Sequence, residues 1–447
     1  MASLWRKAGW NAFTVWHARK EQSLPYVPLE KIIAVQTQRL QDIVAHAYET
    51  VPYYRKVMDA AGLLPKDIQS ADDLTLLPII TSEQLAQNSD QFLSLHYRKE
   101  SGITLHSSGT SGMDKFICYD PTALFLALAH GHRQRLVLAH FTGQTFGYRE
   151  VNAVRSHSVS VQLRDFYESY SWTPRKIDFR RSYLLPGGVS LTENIAQLNS
   201  AQPDVIRGYG SYIGSLFRWA WTHNLPLHRP KVVIYGADHM AEADRRLIEE
   251  AFSVPVLSTY QATEALRIAF QCEHRQGFHI FLDDVVLRVV DDHGHPVSPG
   301  GTGHLILSNL TNKATVLLNY KLGDMVTLNS SPCPCGRTLP LIQDLHGRSD
   351  DFLVLPRGQL LHSLVVLEKI QNVADVVQIQ VRQEDLQRFR LLVVYAGNTA
   401  WSVVKQQIDA AMRTVCGSDI AVSIEQVETI VPEPGGKVKL VVSQCRL

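Results

Sequence analysis

Hydrophobic positions follow helical spacing in the first part of the chain. Between residues 29 and 63 apolar side chains recur every three or four positions, which predicts helix. The pair Val51-Pro52 interrupts this stretch, because the residue before a proline avoids helical backbone angles. The pattern therefore predicts one helix that ends at Val51.

The middle of the chain alternates short apolar runs with helical patterns. The runs at 204–210, 231–237 and 254–260 predict strands, and the segments 211–223 and 241–252 predict the helices between them. Such alternation is typical of βαβ units, in which parallel strands are covered by helices.

Beyond about residue 278 the pattern changes to short strands with glycine and proline turns. The final hundred residues predict a separate small unit with strands at 376–382, 389–395 and 420–427 and a helix at 402–415. The predicted fold is α/β. It has a large N-terminal domain of βαβ units plus a β-rich subdomain (residues 1–349) and a small α+β C-terminal domain (residues 350–447).

Composition excludes several classes of protein. The 447 residues include 44 basic and 43 acidic side chains and six cysteines, so neither nucleic-acid binding nor a disulfide scaffold is expected. No apolar run reaches the roughly 18 residues of a membrane span, and charges interrupt the first 22 residues. We expect a cytoplasmic protein without a membrane partner.

The strongest local motif is a loop rich in glycine and hydroxyl residues between two predicted strands. Its backbone N–H groups and hydroxyls suit a phosphate, although a polar hairpin turn has the same composition. The spacing is not that of a Walker A loop. The residues are Ser107, Ser108, Gly109, Thr110, Ser111 and Gly112.

Two more polar segments follow predicted strands, at the edge where ligands bind in open α/β sheets. One is Gly236-Ala237-Asp238, which is otherwise an ordinary turn; the other runs from Tyr260 to Glu264. A carboxylate such as Glu264 can bind Mg²⁺ beside substrate phosphates, or it can be a solvated surface group.

Cysteine and histidine spacing suggests a metal site. Cys333 and Cys335 are separated by one proline, and Cys272 lies upstream with either His274 or His279. Two or three thiolates with an imidazole suit tetrahedral Zn²⁺, whereas ordinary buried thiols are the alternative.

Six segments, in order, resemble the adenylate-forming superfamily and within it the phenylacetate–CoA ligase and capsular polysaccharide branch. They are Ser107–Gly112, Gly236–Asp238, Tyr260-Gln-Ala-Thr-Glu264, Asn319-Tyr-Lys-Leu-Gly-Asp324, Gly347-Arg-Ser-Asp-Asp351 and Gly435-Gly-Lys437. Single motifs of this kind are weak, but six in the family's order are strong.

The resemblance implies a role for each segment. It makes residues 107–112 the phosphate loop and 236–238 the adenine contact, with Tyr260 and Thr263 also at the nucleotide. It assigns Mg²⁺ to Glu264, the ribose hydroxyls to Asp324, phosphate to Arg348, the domain hinge to Asp350 and the adenylation step to Lys437. It also implies an acyl pocket near Tyr209, Ser211, Tyr212 and Gln261, and a structural Zn²⁺ on Cys272, His279, Cys333 and Cys335.

The implied function is ATP-dependent activation of a carboxylic acid, aryl acids included, as an acyl-adenylate, followed by transfer to a thiol. CoA is the expected acceptor, and the phosphopantetheine of an acyl or peptidyl carrier protein is the alternative. A catalytically silent, zinc-stabilised nucleotide-binding scaffold is a third reading. The identity of the acid stays open, as does a homodimer.

Two departures from the family pattern stand out. Met113-Asp114-Lys115 stands where the family has Gly-Lys-Pro after the phosphate loop, so Lys115 is out of place for the family's lysine, and Gln261 replaces a common glycine. A rival dinucleotide motif at Gly208, Gly210 and Gly214 misses the required spacing by one residue.

Overall fold

The chain forms two compact units in a computed structural model. The first comprises Met1–Phe146, Val159–Asp178 and Thr259–Ser349, and the second comprises Gly147–Ser158, Phe179–Ser258 and Asp350–Leu447. The structure describes residues 4–108, 114–154, 158–172, 182–183, 189–298, 300–329, 331–348, 352–356, 359–371, 373, 375–430 and 440–445.

Helices make up much of the first unit before residue 171. The predicted break at Val51 is confirmed, because one helix ends at Thr50 and the next begins at Pro52. The helices are α1 (Leu4–Lys20), α2 (Leu29–Thr50), α3 (Pro52–Ala61), α4 (Ser82–Gln87), α5 (Pro121–His130), α6 (His132–Thr142) and α7 (Val159–Tyr170).

Antiparallel strands form the rest of the first unit. A hairpin joins β1 (Ile103–Ser108) to β2 (Asp114–Tyr119). A larger antiparallel array has the order β10-β11-β12-β13-β9-β8. Its strands are β8 (Ala269–Phe270), β9 (Phe278–Ile280), β10 (Val285–Val290), β11 (Thr302–Asn309), β12 (Tyr320–Asn329) and β13 (Leu341–Arg348).

The second unit contains the predicted parallel strands. They are β3 (Glu150–Ala153), β4 (Ser182–Tyr183), β5 (Val205–Gly208), β6 (Val232–Tyr235) and β7 (Val256–Tyr260), whose last two residues lie in the first unit. Each pairs in parallel with its neighbour in the order β4-β3-β5-β6-β7. The helices between them are α8 (Leu191–Ala201), α9 (Gly210–Thr222) and α10 (Glu242–Arg246), which continues as a π-helical turn. The βαβ prediction is confirmed.

The last hundred residues fold as the predicted α+β segment. A small hairpin of β14 (Phe352–Val354) and β15 (Leu360–His362) precedes a mixed sheet in the order β18-β17-β16-β19. The remaining elements are α11 (Ser363–Gln371), β16 (Val376–Gln383), β17 (Arg388–Tyr395), α12 (Trp401–Cys416), β18 (Ala421–Gln426) and β19 (Val441–Ser443). Apolar side chains of α11, α12 and the sheet share one core.

Buried hydrophobic side chains form one continuous cluster in the first unit. This cluster joins α2 and α3 to β1, β2 and the antiparallel array. Within the described ranges, no helix is both long enough and apolar enough to cross a membrane.

Candidate active site

The hairpin of β1 and β2 carries the predicted phosphate loop at its tip. Its register pairs Ser107 with Lys115. Gly109, Thr110, Ser111 and Gly112 lie outside the described residues, and Ser107 and Ser108 are described only in their backbone. The predicted hinge Asp350 and the predicted catalytic Lys437 also lie outside the described residues.

Glu264 lies in a buried ionic pair with Lys115. The Lys115 ammonium donates to Glu264 Oε1 at 2.9 Å and to the Tyr320 hydroxyl at 3.0 Å, and both charged side chains are about 5% exposed or less. Burial alone would lower the pKa of Lys115, but the Glu264 carboxylate outweighs it and raises the pKa above its ordinary value. Glu264 is therefore a buried partner of Lys115 and not a solvated surface residue.

Tyr320 completes this cluster. Its hydroxyl lies 3.3 Å from Glu264 Oε1, and burial together with that carboxylate raises its pKa to about 12. The tyrosine therefore stays a neutral hydrogen-bond donor and acceptor.

Lys115 and Tyr320 were missed as site residues in the sequence. Its position on β2 could have identified Lys115, because every second residue of a strand lies on the same face and Ile117 and Tyr119 are buried. A lysine on the buried face of a strand needs a carboxylate partner. Sequence spacing alone did not name Glu264 as that partner.

Tyr260, Asp324 and Arg348 come together from three separate motifs. The Tyr260 hydroxyl donates to Asp324 Oδ2, and Arg348 Nη1 lies 3.9 Å from Asp324 Oδ1. Strands β12 and β13 produce the second contact, because their register places Asp324 opposite Arg348. Burial and the Asp324 carboxylate hold the pKa of Tyr260 well above its ordinary value.

Gly323 allows Arg348 to approach this carboxylate. The glycine has a positive φ of 93°, and a Cβ there would lie 2.7 Å from Arg348 Nη2. Any larger residue at position 323 would displace the guanidinium or strain the backbone of β12.

Backbone hydrogen bonds fix the segment that carries Glu264. The Tyr119 hydroxyl donates to the Thr263 carbonyl at 2.7 Å, and Asn309 donates to the Glu264 carbonyl at 3.0 Å. Gln261, predicted near the acyl group, is exposed.

Asp238 follows β6 in the chain and lies beside the first turn of α9 in the second unit. Its carboxylate accepts hydrogen bonds from the Gly210 backbone N–H and the Ser211 hydroxyl, so it caps the first turn of the helix. Ala237 has a left-handed φ of 70°, an uncommon conformation for a residue with a Cβ. The sequence suggested an adenine contact here, and the structure adds a capping role for Asp238.

The predicted acyl-pocket residues on α9 lie in the same region. Tyr209 and Tyr212 are buried, and Asn194 donates to the Tyr212 hydroxyl at 2.6 Å. Ser211 and Tyr212 contribute to the lining of a small cavity of about 30 Å³ that also contacts β16.

The predicted zinc ligands lie together in the first unit. One ligand atom from each of Cys272, His279, Cys333 and Cys335 lies within 4.8 Å of the others, and none of these cysteines forms a disulfide. Cys272 Sγ lies 3.7 Å from Cys333 Sγ, close to the edge of about 3.8 Å expected for a tetrahedron with zinc–sulfur bonds near 2.3 Å. The donor set fits zinc.

Neighbouring groups orient these ligands. His279 Nδ1 faces the Leu339 carbonyl at 3.3 Å, which leaves Nε2 toward Cys335 Sγ at 3.3 Å. Burial lowers the pKa of His279 to about 4, so the imidazole is neutral. Arg337 donates its backbone N–H to Cys335 Sγ, and its guanidinium pairs with Glu273 at 2.9 Å.

The chain is similar to known proteins over most of its length. The phenylacetate-coenzyme A ligase of Thermus thermophilus is 30% identical over 384 residues, which cover 81% of each chain. The chain belongs to the phenylacetate–CoA ligase family. It is an AMP-forming acid–thiol ligase, as the motif order predicted.

Three further comparisons extend the match over almost the whole chain. The family model of the CapK C-terminal domain matches residues 353–444, and the CapK protein of Staphylococcus aureus is 22% identical over 93% of this chain and 90% of its own length. A crystal structure of 2-hydroxyisobutyryl-CoA ligase in the postadenylation state has a TM-score of 0.74 over 95% of this chain and 92% of that chain, at 17% identity. The latter confirms the predicted fold class.

Proposed function

We propose that this phenylacetate–CoA ligase family member converts a carboxylic acid, aryl acids foremost, into its CoA thioester. In the first step the acid's carboxylate oxygen attacks the α-phosphorus of ATP, and pyrophosphate leaves with the electrons of the broken P–O bond. In the second step the CoA thiol loses its proton as sulfur attacks the acyl carbonyl, and AMP leaves. The names of the related ligases support both the acid class and the acceptor.

The observation that carries the proposal is the convergence of four predicted residues. Tyr260, Asp324 and Arg348 are in contact, and the Glu264 carboxylate is close enough to contribute to the raised pKa of Tyr260. These residues come from three sequence segments, and a scaffold would need none of them in this arrangement.

Asp324 and Arg348 have complementary tasks at the nucleotide. An ionised carboxylate accepts hydrogen bonds from the two ribose hydroxyls, and Tyr260 holds Asp324 in place for that purpose. The Arg348 guanidinium can donate to the α-phosphate while it remains beside Asp324. The aspartate thus holds the arginine where negative charge develops during adenylation.

Glu264 supplies a hard oxygen of the kind that Mg²⁺ prefers. When bound, the ion would neutralise charge on the phosphate oxygens. Lys115 pairs with the same carboxylate at 2.9 Å and fixes its position. The pair therefore presents a preorganised Glu264 carboxylate in a site from which water is excluded.

The proposal extends to residues outside the described ranges. The loop 107–112 would hold phosphate oxygens, Lys437 would stabilise the adenylation transition state, and Asp350 would be the hinge for the C-terminal domain 350–447. Tyr209, Ser211, Tyr212 and Gln261 would border the acyl group. A carrier protein in place of CoA is the second candidate acceptor.

Pyrophosphate exchange tests the first half-reaction. Incubation with ATP, labelled pyrophosphate and a panel of carboxylic acids, with phenylacetate first, should give exchange with at least one acid. Lys437→Ala should abolish exchange, and Lys439→Ala, two positions on, is the matched control that should retain it. A folded, ATP-binding protein that exchanges with no acid would contradict the proposal. CoA and a phosphopantetheinylated carrier protein should then be compared as acceptors.

We also propose a structural Zn²⁺ on Cys272, His279, Cys333 and Cys335. Zinc would hold the turn after Cys333 against β9 and so stabilise the array that presents Asp324 and Arg348. Purified protein should contain about one Zn²⁺ per chain. Cys333→Ser should lose the metal, while Cys445→Ser, a cysteine outside the set, should keep it. Full-length protein without zinc after metal-replete expression would refute this assignment.

A further inference from the structure

Helix α1 presents an apolar face to solvent. Trp5 is 87% exposed, Leu4 69%, Trp16 56% and Val15 52%. We call these four residues the α1 patch. Large apolar side chains exposed together on one helix are unusual and indicate an interaction site.

The opposite face of α1 is already occupied by the protein. The Trp10 ring stacks on Phe125 with centroids 4.5 Å apart, and Asn11 exchanges two hydrogen bonds with the backbone of Trp172. The α1 patch is therefore a surface of a docked helix, and folding of the described residues does not bury it.

Helical geometry places the two tryptophans on one line. They are 11 positions apart, which at about 100° per residue is three turns, and they are separated by about 16 Å along the axis. Gly9 and Ala12 lie between them on the same line and do not project as far. The result is a convex ridge with an indole near each end.

Charge on the helix has one sign, because it has four Arg and Lys residues and no Asp or Glu. Arg19 and Lys20 are exposed near Trp16, and Lys20 Nζ lies 3.6 Å from the centroid of the Trp16 ring. Arg6 and Lys7 face α7, where the Arg6 guanidinium lies 4.1 Å from the Tyr170 ring centroid and Lys7 donates to the Glu168 carbonyl. The next acidic residue, Glu21, is buried against Arg133. On the adjacent α7, Asp165 and Glu168 are paired with Arg164.

We propose that α1 docks the protein on an anionic membrane surface. The indoles and aliphatic side chains would enter the headgroup region, where tryptophan is favoured, and the basic side chains would pair with lipid phosphates. A convex ridge does not enclose a small ligand, and its positive charge opposes contact with a second identical helix. The chain lies on the membrane without spanning it. This refines the expectation, drawn from composition, that no membrane partner exists.

Vesicle sedimentation tests the proposal. The full chain should sediment with phosphatidylcholine vesicles that contain phosphatidylglycerol and should remain in the supernatant with phosphatidylcholine alone. Raising the salt from about 0.1 M to 1 M should release much of the bound protein, because the Debye length shortens about threefold.

Variants identify the surface. Trp5→Ser with Trp16→Ser should lower vesicle partitioning by about tenfold or more, because two interfacial anchors are lost. Trp221→Ser is the matched control, because this tryptophan is 57% exposed but lies on α9, and it should bind like wild type. Both variants should keep the wild-type melting temperature and pyrophosphate exchange.

Three results would overturn the proposal. They are absence of wild-type binding to anionic vesicles, equal binding by the double tryptophan variant, and equal binding to neutral and anionic vesicles. Sedimentation velocity tests the alternative that a second copy of the chain, and not a membrane, covers the α1 patch. A wild-type dimer that the double variant converts to monomer, without vesicle binding, would assign the α1 patch to a second copy of the chain.

Discussion

Lys115 and Glu264 show how one buried ion pair serves both stability and chemistry. Each side chain has left water, and each is compensated mainly by the other. Removal of one partner leaves a charge without its counter-ion in a poorly solvated site, which is costlier than removal of both.

A double-mutant cycle should reveal this dependence. Lys115→Met alone should lower the free energy of unfolding by about 3–5 kcal/mol, because Glu264 keeps a buried charge. Adding Glu264→Gln should recover part of that loss, although both variants should lack exchange activity. Urea unfolding at neutral pH measures each corner of the cycle. The exposed pair Arg55 and Asp59 is the control, and its removal should have little effect. Additive losses at positions 115 and 264 would contradict the coupling.

The sequence was informative at this scale where motifs have fixed order. Asp324, Arg348, Tyr260 and the four zinc ligands were predicted from the resemblance to a known family, and the structure brings each set together. Lys115 was missed because its partner is 149 positions away and only the tertiary fold joins them.

Elements were predictable where turn residues bound a short apolar run. The strands β5, β6 and β7 are short apolar runs between turn residues, and their parallel order followed from the helices between them. Helix α5 was not predicted, because it is apolar and buried on most sides, so no helical period is visible in its sequence. Helix α1 was missed because both of its faces carry tryptophan.

The cap on α9 gives a prediction at the element scale. Asp238→Ala should lower the free energy of unfolding by about 0.5–2 kcal/mol, because the first turn loses its acceptor. Asp238→Asn keeps one acceptor oxygen and should lose less. Thermal and urea unfolding of the three proteins give the order. The same variants show in exchange assays whether residue 238 also affects the KM for ATP. Equal stability of all three would exclude the capping role.

At the scale of the whole molecule, buried charges connect distant parts of the first unit. Arg133 is buried between Glu21 and Asp283, and Arg39 pairs with Asp284 at 2.7 Å. His130 Nδ1 lies 2.6 Å from Asp284 Oδ2. Burial alone would lower the pKa of His130, but the carboxylates, Asp284 first, outweigh it and raise the pKa above 6.5.

This cluster predicts how stability depends on pH. Because the folded state binds the His130 proton more tightly than the unfolded state, its contribution is complete below about pH 6.5. It is lost as the pH rises through the raised pKa, at about 1.4 kcal/mol per unit of pKa difference. The His17 ring lies 6.4 Å from that of His130, and burial and His130 lower the pKa of His17 to about 4. Arg39 and Arg133 bind the carboxylates of the same cluster.

Measuring the free energy of unfolding between about pH 6 and pH 9 tests the contribution of His130 to stability. His130→Gln should be less stable than wild type at the acidic end and should lose less stability as the pH rises. His223→Gln, an exposed histidine on a different helix end, is the control and should follow wild type. Parallel curves for wild type and His130→Gln would refute the role of His130.

The position of Asp283 has a consequence for how the chain folds as it is synthesised. Arg133 leaves the ribosome about 150 residues before this aspartate, which corresponds to about 10–30 s at ordinary translation rates. During that interval the nascent helices have Glu21 but lack the carboxylates that complete the burial of Arg133. We expect the N-terminal helices to stay incompletely packed, and open to chaperones, until the start of β10 emerges.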